Sequence, residues 1–170
     1  MLHLVRHGRP LVQRDRPAAT WDLDPAGFDD VWRLRESGRL PGQAVWFASP
    51  EAKAIQTAQL LTECEIGIMD DLREHVRDSS EWISDFDAVV RRAFEHPDQP
   101  AYDGWEPLEA SRSRVATAVR GILAAHRAEE IVLVGHGTAW TLLTSELTRR
   151  PPDLDRWATL QMPDVIVLDA

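Results

Sequence analysis

The sequence predicts an α/β fold built in layers. Short apolar runs alternate with longer segments of helical period. Several helical segments open on a cap residue followed by proline, as in Asp24-Pro25 and Ser49-Pro50. No repeat and no low-complexity linker divides the chain. With 170 residues, 44% of them hydrophobic, one domain spanning 1–170 is expected. A chain of that size buries about 70% of its unfolded surface.

Leu2–Arg6 reads as the first strand, and residues 9–23 as a loop behind it. The first helix starts at Asp24-Pro25 and stops at Gly38. Ala44–Ala48 is the second strand. The second helix starts at Ser49-Pro50 and buries Ile55, Ala58 and Leu61. Ile66–Met69 is the third strand. A third helix runs from Ser80 to His96, with Trp82, Phe86, Val89 and Val90 on one side, and Pro97 stops it. Residues 97–104 hold two prolines and a glycine and form a long loop. The fourth helix follows Glu106-Pro107, runs to His126 and turns Val115, Val119, Ile122 and Leu123 inward. Ile131–Val134 is the fourth strand. The fifth helix begins after His136 and ends before Pro151-Pro152, and Val165–Leu168 is the last strand.

Lys and Arg number 19 against 28 Asp and Glu, a net charge of -9. Such a chain is a poor partner for nucleic acid or an anionic membrane. It can still hold a small anion in a local basic pocket. No apolar run reaches the ~20 residues of a membrane span, and no signal peptide is expected at the N-terminus. The single cysteine, Cys64, cannot form an internal disulfide and reads as a packing residue at a helix end, in a reducing cytoplasm.

The chemistry gathers at strand ends. "HLVRHG" puts Arg6-His7 at the exit of the first strand, and "IVLVGHG" puts His136 at the exit of the fourth. "VWFASPEAKAIQTA" leads into a helix whose first turn carries Lys53. In open α/β sheets, ligands bind beyond the C-terminal ends of strands. Parallel neighbours would bring Arg6, His7, Lys53 and His136 to one rim. Helix N-termini at the same rim attract anions. Two histidines, two permanent cations and two helix ends describe a phosphate pocket. No carboxylate or third histidine lies at ligand spacing from either histidine, so no metal and no cofactor are expected.

A neutral imidazole can attack phosphorus through one ring nitrogen when a backbone acceptor holds the other. Arg6 would grip phosphoryl oxygens with its planar fork. Lys53 and His136 would neutralise the charge that builds on them. A carboxylic acid must then protonate the leaving oxygen. Glu74, in "DLREH", is the best placed; Asp70, Asp71 and Asp78 lie close enough to serve instead. Other acids and a bound dianion nearby should raise its pKa.

These blocks resemble the histidine phosphatase superfamily, the phosphoglycerate mutase-like enzymes. "LVRHGRP" is similar to its Arg-His-Gly signature. "FASPEAKAIQTAQLL" resembles its Ser-Pro-x-x-Arg-Ala-x-Gln-Thr-Ala block. "DLREH" resembles the segment of the general acid, "GWEPLEASRSRV" the Gly-Glu-Ser…Arg-Val helix start, and "VLVGHG" the second histidine. The blocks come in family order and span nearly the whole chain. The resemblance implies a three-layer sandwich, a central mostly parallel sheet with helices on both faces. It implies His7 as nucleophile, Arg6 and His136 as phosphate ligands and Glu74 as acid.

Three departures stand out. Lys53 replaces the family's second arginine, and a lysine cannot fork two oxygens. Arg9-Pro10 replaces the usual Glu-Thr. Gln13 stands where many members carry a polar phosphate contact. Gly137 and Thr138 are expected to offer backbone N–H groups to the phosphate. A first-turn lysine is ordinarily solvated, which is the other reading of Lys53. Arg9, Arg14 and Arg16 are either a solvated basic cluster or the readers of a second anionic group. Trp21 and Trp105 are expected to pack, with pocket wall as the alternative. The expected function is phosphomonoester hydrolysis of a small phosphorylated metabolite or a phosphoprotein. A mutase of the same family and a catalytically weakened phospho-ligand binder are the alternatives. A mutase needs a water-poor site and covering segments, for which this chain is lean. Oligomeric state is not legible.

Overall fold

Leu2 and Leu4 face one way along the first strand, His3 and Val5 the other, and all four are buried. A strand buried on both sides requires a sheet covered on both faces. The computed structural model describes residues 1–78 and 82–169. Its strands are β1 (Leu2–Arg6), β2 (Val45–Ala48), β3 (Ile66–Ile68), β4 (Ile131–Gly135) and β5 (Asp164–Leu168). Its α-helices are α1 (Phe28–Glu36), α2 (Ala52–Leu61), α3 (Phe86–Glu95), α4 (Leu108–Ala125), α5 (Gly137–Thr148) and α6 (Leu154–Thr159).

The strands form one sheet in the order β3-β2-β4-β1-β5. β1, β2, β3 and β4 run parallel, and β5 lies antiparallel on β1. Val31 and Leu34 of α1 and Ala54, Ala58 and Leu61 of α2 pack on one face, against Val5, Trp46, Val132 and Val134. Val115, Val119 and Ile122 of α4 and Ala139, Trp140 and Leu143 of α5 pack on the other, against Leu2, Leu4, Ile131 and Leu133. This is the three-layer, mostly parallel α/β architecture. Trp140 ties its layer to the sheet by donating its indole N–H to the Val5 carbonyl at 2.8 Å. Gly135 makes room for that ring, since a Cβ there would lie 2.6 Å from it.

The structure departs from the sequence-based elements in several places. The first helix is split. Asp24 caps a 3-10 turn over Pro25–Gly27 by accepting from the Ala26 N–H at 2.9 Å, and α1 starts only at Phe28. The third helix starts at Phe86, capped by Asp85, and the expected start at Ser80 lies outside the described residues. Trp82 therefore belongs to no helical face; it is 52% exposed, with the Arg14 guanidinium 4.3 Å over its ring. The six-residue α6 was not expected, because so short a segment shows no period. Cys64 is exposed rather than packed.

Candidate active site

Three chain exits meet at the C-terminal rim of the sheet. The β1–β4 ladder continues into His7, whose N–H donates to the Gly135 carbonyl at 2.9 Å. The β2–β4 ladder continues into Ser49, whose N–H donates to the Val134 carbonyl at 2.9 Å. His136 follows Gly135 and caps α5 in an extended conformation. The imidazoles of His7 and His136 come within 5.2 Å, centroid to centroid, nearly edge to face. Both are buried.

His7 is held by its own main chain. Its Nδ1–H donates to the Gly8 carbonyl at 2.6 Å, which leaves Nε2 with a lone pair. Burial holds its pKa well below 6.5, and the positive charges of Lys53 and Arg6 push the same way. The ring is thus neutral, as a nucleophile must be. The Gly8 N–H donates to Thr57 Oγ1 at 2.9 Å, which ties the loop after β1 to α2. A Cβ at Gly8 would meet both Leu23 and Val31 at 2.8 Å, so only glycine fits without displacement. Gln56 holds the outer end of that loop. It accepts from the Leu23 N–H at 2.7 Å and donates to Asp22 at 3.0 Å. The Gln-Thr pair of the second block is therefore a clasp on residues 9–23.

His136 Nε2 lies 2.7 Å from Ser49 Oγ and 3.3 Å from Glu51 Oε1. Its Nδ1 is buried without a partner among the described residues. Burial lowers its pKa to about 3; Glu74 raises it, and Lys53, Arg77 and Arg6 add to the lowering. Arg6 donates through Nη1 to the Leu160 carbonyl at 2.5 Å, and its Nε is likewise buried and unpartnered. Its guanidinium lies over Gly137, where a Cβ would stand 3.3 Å from Nε. Glycine at 137 lets that cation reach the start of α5.

Lys53 is not a solvated first-turn lysine. It is 4% exposed and donates to the Ala18 carbonyl at 2.7 Å and to the Glu51 carboxylate. Its charge reaches both histidines. Glu74 reaches the head of α5. Its carboxylate accepts from the N–H groups of Thr138 at 3.1 Å and Ala139 at 2.9 Å, and from its neighbour His75 at 2.9 Å. The expected rise in its pKa is reversed. Burial alone would raise it, but Arg77, His136 and the backbone donors outweigh burial and bring it to about 2. The acids expected beside it are outnumbered by cations and N–H donors. Thr138 thus offers its N–H to Glu74. Gln13 is held elsewhere, its side-chain oxygen accepting from Arg16 at 3.0 Å. Arg9 pairs with Asp24 at 3.0 Å, so the first-loop arginines are individually engaged. Trp21 donates to the Gln13 and Arg16 carbonyls, and Trp105 packs edge-on against His75 at 5.3 Å.

Two site residues escaped the sequence reading. Glu51 is buried beside Lys53 and His136. The cue was an acid at an unspecified position of the Ser-Pro-x-x-Arg block. Arg77 donates to Thr138 Oγ1 at 3.0 Å and lies over the rings of Phe86 and Trp105 at 4.8 and 4.9 Å. It sits three residues beyond Glu74 in irregular chain, where no periodicity marks an inward side chain. The "GWEPLEASRSRV" block supports Glu74 from below. Arg114 donates to the carbonyls of Asp71, Arg73 and Glu74 at 2.9, 3.1 and 3.3 Å. Glu106 accepts from Arg114 at 2.7 Å and from the Val76 N–H at 2.8 Å. Among the described residues, no group of three or more His, Cys, Asp or Glu gathers as metal ligands.

The profile of the histidine phosphatase superfamily (branch 1) matches residues 2–169. The chain belongs to that superfamily. No curated protein sequence matches it. Among solved structures of the same fold, YhfR of Bacillus stearothermophilus superposes with a TM-score of 0.73 at 23% identity, over 99% of this chain and 91% of its own. A mycobacterial glucosyl-3-phosphoglycerate phosphatase gives 0.74 at 20% identity, over 94% and 83%. A phosphoserine phosphatase of Entamoeba histolytica, in complex with phosphoserine, gives 0.71 at 17% identity, over 94% and 84%. The superfamily blocks coincide with the residues gathered here: Arg-His-Gly with His7, the Ser-Pro block with Ser49 and Lys53, and the last histidine with His136. No helix among the described residues is long and apolar enough to cross a membrane.

Proposed function

We propose that this protein is a phosphomonoester hydrolase working through a phosphohistidine on His7. The observation that carries the reading is the Nδ1–H bond from His7 to its own chain, which leaves Nε2 free beside His136 in a ring of cations. In this reading Nε2 attacks phosphorus as the ester P–O bond breaks, and Glu74 gives its proton to the departing oxygen. Water then loses a proton to Glu74 and attacks phosphorus. The N–P bond breaks and inorganic phosphate leaves. Arg6, Lys53, His136 and the N–H groups of Gly137 and Thr138 stabilise the phosphoryl oxygens. Its pKa of about 2 leaves Glu74 ionised on its own, so it takes its catalytic proton from solvent as the substrate dianion binds. A dianion beside it raises its pKa from about 2 and competes for the N–H groups at the head of α5. The proposal requires no metal or cofactor.

The substrate class proposed is a small phosphorylated metabolite. The two named phosphatases of the same fold support that over a phosphoprotein. We place the protein in the cytoplasm, acting as one domain over residues 1–170. A second reading, a weakened phosphate binder, draws on Lys53, whose ammonium is already engaged by Glu51 and Ala18. Turnover of nitrophenyl phosphate by wild type and His7→Ala separates the two. Turnover lost in the variant supports the hydrolase. Tight phosphate binding without turnover in wild type supports the binder, and equal turnover in both proteins removes His7 from the chemistry.

A further inference from the structure

We propose that Glu51 is a positioning residue of this site, the fixed anion that orients His136 and lets it carry a second proton when phosphate binds. The inference rests on the phosphate-site reading above. Glu51 is 8% exposed and stands at the junction of three segments. Its carboxylate takes the ammonium of Lys53, lies 3.3 Å from His136 Nε2, and accepts from the Glu74 N–H at 2.9 Å. Its own N–H meets Ser49 Oγ at 3.3 Å, and that hydroxyl is the other partner of His136 Nε2. Glu51 and Ser49 thus occupy one ring nitrogen, and Nδ1 is the nitrogen left to meet a phosphoryl oxygen.

A neutral imidazole that uses Nε2–H as a donor has only a lone pair at Nδ1. Two lone pairs facing each other repel. With Nε2–H turned to the Glu51 carboxylate 3.3 Å away, His136 can donate to phosphate through Nδ1 only as an imidazolium, and an imidazolium this deeply buried needs an anion at its back. Glu51 is that anion. The other charged and titratable groups facing His136 are Lys53 in the first turn of α2, Glu74 and Arg77 on the segment after β3, and Arg6 with His7 at the end of β1. The three cations Arg6, Lys53 and Arg77 disfavour a further positive charge on His136. A phosphate dianion removes that bias, and Glu51 completes the proton's binding site.

The test uses inorganic phosphate as the probe and 15N NMR of the imidazole nitrogens as the readout, in wild type, Glu51→Gln and Glu51→Asp. At neutral pH and saturating phosphate, His136 of wild type should carry protons on both nitrogens. In Glu51→Gln it should carry one, with Glu51→Asp restoring the second. In Glu51→Gln, kcat should fall roughly tenfold and the basic limb of kcat should move to lower pH. Phosphate that binds with His136 protonated alike in wild type and Glu51→Gln would overturn the role of Glu51 and leave the phosphate site standing. Phosphate that fails to bind wild type would bring down the site reading, and this inference with it.

Discussion

The nucleophile candidate and the acid candidate are held in place by opposite means. His7 is fixed by its own strand: its N–H extends the β1–β4 ladder and its Nδ1–H returns to the next carbonyl. Glu74 is fixed by other elements. Arg114 of α4 grips the carbonyls around it, Glu106 anchors the chain just beyond it, and the first turn of α5 binds its carboxylate. The histidine is a product of strand backbone, to which remote parts add one ladder bond from Gly135 and a clasp on its loop. The carboxylate is a product of long-range assembly. Local geometry resists change at a distance, whereas an assembled position fails when any contributor fails.

The largest break in that comparison comes from Glu74→Gln. Hydrolysis of alkyl phosphates should fall ~100-fold or more, because a poor leaving oxygen needs the proton. Nitrophenyl phosphate, which leaves unaided, should lose far less, and equal losses on both substrates would remove Glu74 from the role. Arg114→Met should reproduce the same substrate-selective loss at about tenfold, from a residue that touches no substrate. Inorganic phosphate should still compete with nitrophenyl phosphate in that variant, since the histidine side stays intact.

Acid should loosen the site in two stages. His136 has its pKa lowered from 6.5 to about 3, so it favours the folded state above pH 6.5 and gives that up as pH falls toward 3. Glu74, lowered from 4.5 to about 2, adds stability above pH 4.5 that is lost as pH falls toward 2. The thermal midpoint should therefore begin to fall below pH 6.5 and fall more steeply below pH 4.5. His136→Asn should make the first stage shallower without abolishing it, because His7 and His75 are lowered from 6.5 as well; an unchanged slope would mean that the buried ring of His136 does not resist protonation. The smallest effect belongs to Gln13→Ala. Its side chain serves Arg16, so kcat/KM should change by less than about twofold. A tenfold loss would show that Gln13 swings inward to the phosphate.

The same contrast explains what could be read from the sequence. Three of the five strands hold no polar side chain, β5 is apolar after its leading Asp164, and β1 is apolar but for His3 and its terminal Arg6, so the layered fold was legible. Arg6, His7, Lys53 and His136 were legible because chain position alone puts them at strand ends or in a first helical turn. Residues that owe their place to assembly were not. Arg77 points inward from irregular chain, and Glu51 sits at a position that the Ser-Pro-x-x-Arg block leaves unspecified. The depressed pKa of Glu74 follows from Arg77 and the head of α5, neither of which a local reading places beside it. The break at Gly27 and the short α6 leave no periodic signal of their own.

Trapping the phosphoenzyme tests the central claim most directly. A brief reaction with a labelled phosphomonoester at mildly acidic pH, quenched in base and mapped by mass spectrometry, should place the label on His7, stable in alkali and lost in acid. Label that survives acid and leaves in alkali, or that persists in His7→Ala, would contradict the account.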